Sequence, residues 1–122
     1  MKNILYVEDD AINALVISKL LKGVFNITHV FDGETCMHHV EQTAFDAILM
    51  DINLGRGKMD GVETLHKIRA IHQHDAMKII AVTSYALPED RDRFLLEGFD
   101  AYMSKPVDRT ELIAMLNQLV GR

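Results

Sequence analysis

Side chains suited to metal or phosphate chemistry stand directly after short apolar runs of this 122-residue chain. They are three acids, two hydroxyls and one amine: Glu8, Asp9, Asp51, Thr83, Ser84 and Lys105. Each has an ordinary explanation when taken singly, because acids after strands cap helices, Thr-Ser is common in turns and surface lysines are usually solvated. Together they favour a functional site, since binding residues concentrate where a rigid scaffold presents its loops.

The three acids suggest a site for a divalent cation. Like charges repel, so a carboxylate cluster is unfavourable until a cation joins it, and an oxygen-only set with few protein ligands suits Mg²⁺. Mg²⁺ attracts phosphate oxygens, and phosphoryl transfer needs mainly positioning and charge neutralisation. Asp51 is the best candidate for a carboxylate nucleophile because it is the lone acid after a predicted central strand. Lys105 would then neutralise charge, and Thr83 would donate a hydrogen bond to a phosphoryl oxygen.

The elements that must position these residues alternate between short apolar runs and longer segments of helical period. Strands are predicted at residues 4–7, 27–31, 47–50, 78–82 and 101–103. A helix is predicted after each of them. This alternation is typical of an α/β fold with an open parallel sheet covered on both faces, in which ligands bind beyond the carboxyl ends of the strands.

Particular residues mark the predicted helices. The apolar positions of the first helix lie on one face, as expected for a helix that packs on a sheet: Ile12, Leu15, Val16 and Leu20. Gly23 is the predicted C-cap of that helix. Two later helices have the spacing of an N-cap and its N3 partner: Asp60 with Glu63, and Asp108 with Glu111.

Length and composition are those of one domain that spans residues 1–122. The net charge of -5 and the lack of a basic run argue against a nucleic-acid or membrane surface. No apolar segment approaches the roughly 20 residues of a membrane span, and no secretory signal pattern is present, so a cytosolic protein is expected. Cys36 is the single cysteine, which excludes an internal disulfide and a cysteine cluster for zinc.

The residues at the predicted strand ends resemble those of the receiver domain of two-component response regulators. The resemblance covers essentially the whole chain and rests on "ILYVEDD", "ILMDINL", "MDGVE", "IIAVTSYA" and "AYMSKP", in that order. It implies a doubly wound, flavodoxin-like fold with five parallel strands in the order 2-1-3-4-5 and five helices. It also implies a signalling switch controlled by phosphorylation.

The resemblance implies roles for the acidic residues. Asp51 would accept a phosphoryl group from a phosphohistidine of a histidine kinase or a histidine phosphotransfer domain. Asp9, Asp51 and the backbone carbonyl of Asn53 would bind Mg²⁺ or Mn²⁺ directly. Glu8 would act on the cation through water. The protein would catalyse its own phosphoryl transfer and a slow autodephosphorylation, and would be mainly a signalling module.

The resemblance also implies a conformational switch. Thr83 and Lys105 would contact the phosphoryl group, and the peptide bond between Lys105 and Pro106 would be cis. Movement of Thr83 toward the new oxygens would leave space into which Tyr102 turns, which would change the surface offered to a downstream protein target. A monomer, or a weak dimer that depends on phosphorylation, is expected.

Other functions share parts of this site. A phosphorylation-independent interaction module would have the fold but usually lacks part of the residue set. A phosphohydrolase of the haloacid dehalogenase type would share the nucleophile and Mg²⁺, but it needs a second Asp two residues on, where this chain has Asn53.

Two features depart from the usual receiver pattern. The basic loop at 55–58 is long and free of proline. The bulky Tyr85 could slow water attack on a phosphoryl group.

Overall fold

A computed structural model describes residues 1–54, 59–71, 77–84 and 87–121. The loop at 55–58 and Tyr85, for which the sequence suggests roles, lie outside these described residues. The strands are β1 (Asn3–Val7), β2 (Asn26–Val30), β3 (Ala47–Asp51), β4 (Lys78–Thr83) and β5 (Ala101–Ser104). The helices are α1 (Ala11–Leu21), α2 (Gly33–Gln42), α3 (Gly61–Ile71), α4 (Pro88–Glu97) and α5 (Arg109–Val120). None of the helices within the described ranges has the length and apolar character needed to cross a membrane.

The strands form one parallel sheet in the order β2-β1-β3-β4-β5, which confirms the predicted fold. β3 lies between β1 and β4, and every one of its residues is buried. The register pairs Val7 with Met50 and Asp51 with Val82, so the carboxyl ends of β1, β3 and β4 meet at one edge of the sheet. β2 ends one residue earlier than predicted and leaves Phe31 exposed.

Alternating strand residues supply two apolar layers, one on each face of the sheet. The helices α2, α3 and α4 cover one layer through residues such as Cys36, Leu65 and Phe94. The helices α1 and α5 cover the other layer through residues such as Ile17 and Leu112. Because both faces of the sheet are buried, its strands read as short continuous apolar runs in the sequence.

Helix α1 buries a different face from the one that the sequence predicts. Its buried residues are Ala14, Ile17 and Leu21. The predicted face points to solvent: Ile12 is 74% exposed, Leu15 56% and Val16 52%, and Leu20 is half-buried. Because α1 is apolar around most of its circumference, hydrophobic periodicity does not distinguish the two faces, and contact with the sheet and α5 decides between them.

The helix ends follow the predicted caps with one exception. The backbone nitrogen of Glu63 donates to Oδ1 of Asp60 at 2.8 Å, and that of Glu111 donates to Oδ2 of Asp108 at 2.9 Å, which confirms both N-caps. The C-cap of α1 is Lys22 rather than Gly23. Gly23 follows it with a φ of +83°, a conformation that glycine adopts at little cost.

Gly61 allows the start of α3 to lie against the end of β3. A Cβ atom at this position would stand 2.6 Å from the backbone oxygen of Asp51 and 2.9 Å from Cα of Ile52. The backbone nitrogen of Gly61 donates to the carbonyl of Ile52 at 3.1 Å. This glycine therefore helps to fix the backbone that carries Asp51.

Candidate functional site

Three acidic side chains meet at the carboxyl edge of the sheet. Glu8 and Asp9 follow β1, and Asp51 is the last residue of β3. One carboxylate oxygen from each of the three lies within 4.8 Å of the others. Glu8 and Asp51 are buried, whereas Asp9 is exposed, so solvent reaches the cluster at Asp9.

Asp10, the third acid of the "EDD" run, has a different role. Its Oδ1 accepts hydrogen bonds from the backbone nitrogens of Ile12 at 2.8 Å and Asn13 at 3.0 Å, which makes Asp10 the N-cap of α1. The run thus divides its acids between the site and a helix cap, and the cap fixes the direction in which the chain leaves β1.

Lys105 reaches the acids from the segment after β5. Its Nζ lies 2.9 Å from Oε1 of Glu8 and 3.6 Å from Oδ2 of Asp51. Its backbone nitrogen donates to the carbonyl of Thr83 at 2.8 Å, which ties this segment to the end of β4. The peptide bond between Lys105 and Pro106 is cis, as the resemblance implied.

The electrostatics of the site reflect an excess of acid in a buried place. Burial raises the pKa of Asp51 to about 7, and a hydrogen bond with Glu8 and the charge of Glu8 add to the rise. Burial also acts to raise the pKa of Glu8, but its hydrogen bonds with Asp51 and Lys105 outweigh burial and lower that pKa. The pKa of Lys105 is raised against burial by its hydrogen bond to Glu8 and by the charge of Asp51. The ammonium group of Lys105 thus stabilises the ionised form of Glu8 more than that of Asp51, so Asp51 binds a proton more readily than an ordinary aspartate does.

Asp9 shows the same excess of negative charge. Burial, together with its hydrogen bond to Glu8 and the charge of Glu8, raises the pKa of Asp9. A divalent cation among the three carboxylates would lower the pKa of each of them. The donor set, three carboxylates whose oxygens can converge, is therefore one that a hard cation such as Mg²⁺ fits.

Thr83 and Tyr102 lie on the neighbouring strands β4 and β5, which are on the opposite side of β3 from β1. Thr83 is completely buried at the end of β4, one residue beyond Val82, which pairs with Asp51. Tyr102 is half-buried in β5, and its ring stacks on that of Phe94 in α4 with centroids 6.1 Å apart and an interplanar angle of 17°. The two residues are thus linked through the β4–β5 pair and placed between the acids and the face that α4 and β5 form.

Asn53 follows Asp51 by two residues and supports its position. The backbone nitrogen of Asn53 donates to Oδ1 of Asp51 at 3.3 Å, while Lys105 contacts the other oxygen, Oδ2. The two oxygens of Asp51 are therefore held by different partners, which fixes the orientation of the carboxylate.

Tyr6 and His29 contact the site, and the sequence reasoning did not single them out. The Tyr6 hydroxyl donates to Oε1 of Glu8 at 3.2 Å. Nε2 of His29 lies 2.7 Å from the backbone oxygen of Glu8, and the two rings pack with centroids 5.7 Å apart. The available signal was strand alternation, which puts Tyr6 and Glu8, two residues apart, on the same side of the chain.

The comparisons with known proteins agree with this geometry. The sequence model described as the response regulator receiver domain matches residues 4–117. A similar solved structure is the receiver domain of sensor histidine kinase PA1611 from Pseudomonas aeruginosa, described with a magnesium ion coordinated in its active-site cleft. It is 35% identical to this chain, has a TM-score of 0.85, and the match covers 99% of this chain and 98% of that one.

Two curated relatives are a sensor protein and a hybrid histidine kinase. Sensor protein GacS of Pseudomonas syringae is 29% identical over 97% of this chain and 13% of its own length. Hybrid signal transduction histidine kinase I of Dictyostelium discoideum is 32% identical over 95% of this chain and 7% of its own length. The chain thus spans only a small part of these relatives.

Proposed function

Because this chain belongs to the response regulator receiver domain family of two-component systems, we propose that it accepts a phosphoryl group on Asp51 from a phosphohistidine of a partner protein. The observation that carries the proposal is the convergence of Glu8, Asp9, Asp51 and Lys105 at one edge of the sheet. Asp51 is the only one of the three acids that ends the central strand, and its backbone is held against α3 at Gly61.

The proposed transfer is a displacement at phosphorus. A carboxylate oxygen of Asp51 forms a bond to phosphorus while the bond between phosphorus and the imidazole nitrogen breaks, and the nitrogen leaves with that electron pair. Lys105, which forms an ion pair with Glu8 and lies near Asp51, would neutralise charge on the phosphoryl oxygens. Thr83 would donate its hydroxyl hydrogen bond to one of those oxygens.

The acids would hold the cation on which the transfer depends. Asp9, Asp51 and the backbone carbonyl of Asn53 would bind Mg²⁺ directly, and Glu8 would act through water; Mn²⁺ would suit the same ligands. When bound, the cation would neutralise charge that develops on the phosphoryl oxygens. In its absence burial raises the pKa values of Asp51 and Asp9, and the hydrogen bond and charge of Glu8 add to the rise.

Phosphorylation would act on the rest of the molecule through Thr83 and Tyr102. The new group adds roughly -1.5 to -2 charges, and Thr83 would move toward its oxygens. Tyr102 would then leave its stacked position on Phe94 and turn inward, which changes the surface formed by α4, β5 and α5. Unchanged amide chemical shifts around Tyr102 after phosphorylation would contradict this coupling.

The proposed partners follow from the chemistry of the site. A histidine kinase or a histidine phosphotransfer domain would supply the phosphoryl group, and a downstream protein would bind the altered surface. The similar proteins named above include a receiver domain of a sensor histidine kinase and a hybrid histidine kinase, which supports a histidine kinase as the donor. We propose that residues 1–122 act as one receiver domain, as a monomer or a weak phosphorylation-dependent dimer.

The test of this function is intact-mass spectrometry after incubation with acetyl phosphate, with Mg²⁺ or with EDTA. The expected result is a Mg²⁺-dependent gain of one phosphoryl group in the wild type and no gain in Asp51→Asn. Asp92→Asn removes an exposed acid of α4 and is the matched control, which should be labelled like the wild type. Failure to label the wild type while a known receiver is labelled would favour a phosphorylation-independent interaction module. Rapid release of inorganic phosphate would favour a phosphohydrolase.

A further inference from the structure

A buried phenol hydroxyl lies beside the acidic cluster and has no role in the chemistry described above. Tyr6 in β1 is 0% exposed, and its hydroxyl donates to Oε1 of Glu8 at 3.2 Å. Glu8 itself is only 1% exposed. Burying a hydroxyl or a carboxylate without a hydrogen-bond partner costs free energy, so each of these two side chains supplies a partner that the other needs.

The two oxygens of Glu8 have different surroundings. Oε1 is held by two donors, the Tyr6 hydroxyl at 3.2 Å and Nζ of Lys105 at 2.9 Å. Oε2 has a longer contact of 3.4 Å with the backbone nitrogen of Asp10. Oε1 is therefore the oxygen that side-chain donors from β1 and from the segment after β5 both hold.

The neighbourhood of Tyr6 also fixes the backbone of Glu8. Nε2 of His29 lies 2.7 Å from the carbonyl oxygen of Glu8, and the His29 ring packs against the ring of Tyr6. The backbone nitrogen of Glu8 donates to the carbonyl of Val30 at 3.0 Å. Glu8 is thus held at its backbone by β2 and at its side chain by Tyr6 and Lys105.

We propose that Tyr6 is a positioning residue for the cation site, because its hydroxyl orients the carboxylate of Glu8. This inference rests on the proposed function. Lys105 shares Oε1 with Tyr6 but also lies 3.6 Å from Asp51, so its ammonium group serves two carboxylates. Within the described residues, the Tyr6 hydroxyl donates to Glu8 and to no other acid. It can therefore hold the Glu8 carboxylate in one orientation whether Lys105 lies closer to Glu8 or to Asp51.

The test is the affinity of the unphosphorylated protein for Mg²⁺, measured by titration calorimetry on the wild type and Tyr6→Phe. The substitution keeps the ring and removes the hydroxyl alone. Because the hydroxyl acts on the cation only through Glu8, its loss should raise the dissociation constant for Mg²⁺ roughly threefold to tenfold, which is less than the full effect of losing a hydrogen bond to a charged group. The Mg²⁺ concentration that half-saturates labelling by acetyl phosphate should rise by the same factor.

Thr64→Val is the control for loss of a buried hydroxyl. Thr64 is completely buried, and its hydroxyl donates to the backbone oxygen of Asp60 at 2.7 Å, with no contact to the acidic cluster among the described hydrogen bonds. This variant should lower the free energy of unfolding without changing the dissociation constant. A matching change in Thr64→Val would show that the effect of Tyr6→Phe reports general loosening, which would overturn the proposal.

A double-mutant cycle separates orientation of Glu8 from a purely structural effect. In a Glu8→Gln background, Tyr6→Phe should no longer change the dissociation constant, because the group that the hydroxyl orients has lost its charge. An equal factor in both backgrounds, or an unchanged or tighter affinity in Tyr6→Phe, would overturn the proposal. A wild type that does not bind Mg²⁺ would overturn the proposed function as well. Normal binding and labelling by both the wild type and Tyr6→Phe would overturn this inference alone.

Discussion

Asp51 and Glu8 share the ammonium group of Lys105, and the sharing is unequal. Nζ of Lys105 lies 2.9 Å from Glu8 and 3.6 Å from Asp51. Burial, the hydrogen bond with Glu8 and the charge of Glu8 raise the pKa of Asp51. Burial acts in the same direction on Glu8, but the hydrogen bonds with Asp51 and with the nearer Lys105 lower its pKa. The residue proposed to be the nucleophile is therefore the one that most needs an additional cation to remain ionised at neutral pH.

The pKa of Asp51 predicts how the stability of the protein depends on pH. The folded-state pKa is about 7, whereas a carboxyl in an unfolded chain titrates near 3.9, so the folded state binds this proton more tightly. The stability that protonated Asp51 contributes is present at low pH and is lost as the pH rises from about 4 to about 7. Asp51→Asn should therefore raise the free energy of unfolding by about 1 to 2 kcal/mol at pH 8 without divalent cations, and by much less at pH 5.

Urea unfolding in EDTA at the two pH values measures this difference. Asp92→Asn is the control, because Asp92 has a side chain that is 73% exposed and lies far along the chain from the acidic cluster. It should change the free energy of unfolding by less than about 0.5 kcal/mol at both pH values. An equal gain from Asp51→Asn at pH 8 and pH 5 would contradict the proposed origin of the pKa shift.

The residue types at the strand ends were enough to predict the acidic cluster and the lysine beside it, but not the tyrosine that contacts Glu8. Glu8, Asp9, Asp51 and Lys105 come together as expected, because the carboxyl ends of parallel strands share one edge. Tyr6 was not predicted, because a tyrosine in an apolar β-rich run is explained by strand propensity alone. Its contact with Glu8 depends on side-chain orientation within the core, which sequence pattern does not specify.

At the scale of elements, α1 shows where periodicity fails. In α3 and α5 the apolar residues alternate with polar ones at helical spacing, and Leu65, Ile68, Leu112 and Leu116 from these stripes are buried. In α1, apolar residues lie on both sides of the helix, so the sequence does not distinguish the stripe that contains Ile17 from the one that contains Ile12.

A pair of truncations in α1 tests the observed face. Ile17→Ala removes a buried side chain from the layer between α1, α5 and the sheet and should lower the free energy of unfolding by about 2 to 4 kcal/mol. Ile12→Ala is the same substitution on the exposed side and should change it by less than about 0.5 kcal/mol. Chemical denaturation of both variants makes the comparison, and a larger loss for Ile12→Ala would show that the helix packs with the opposite face.

At the scale of the whole molecule, the acidic cluster exists only in the folded chain. Glu8 and Lys105 are 97 residues apart in the sequence and meet only because β1, β3, β4 and β5 align their carboxyl ends. The core that holds them there lies on both faces of the sheet and involves all five helices. A ligand that binds this site therefore binds the folded state and not the unfolded one.

This linkage predicts that Mg²⁺ stabilises the entire domain. At a Mg²⁺ concentration about ten times the dissociation constant, the free energy of unfolding should rise by about 1.4 kcal/mol. For a domain of this size that corresponds to a rise in Tm of about 3 to 6 °C, which thermal unfolding with and without Mg²⁺ would measure. Asp9→Asn removes a proposed direct ligand and should lose most of the rise, whereas Asp92→Asn should keep it. An equal rise in Asp9→Asn, or the same rise with NaCl at matched ionic strength, would show that Mg²⁺ acts by general screening of the net charge rather than at the acidic cluster.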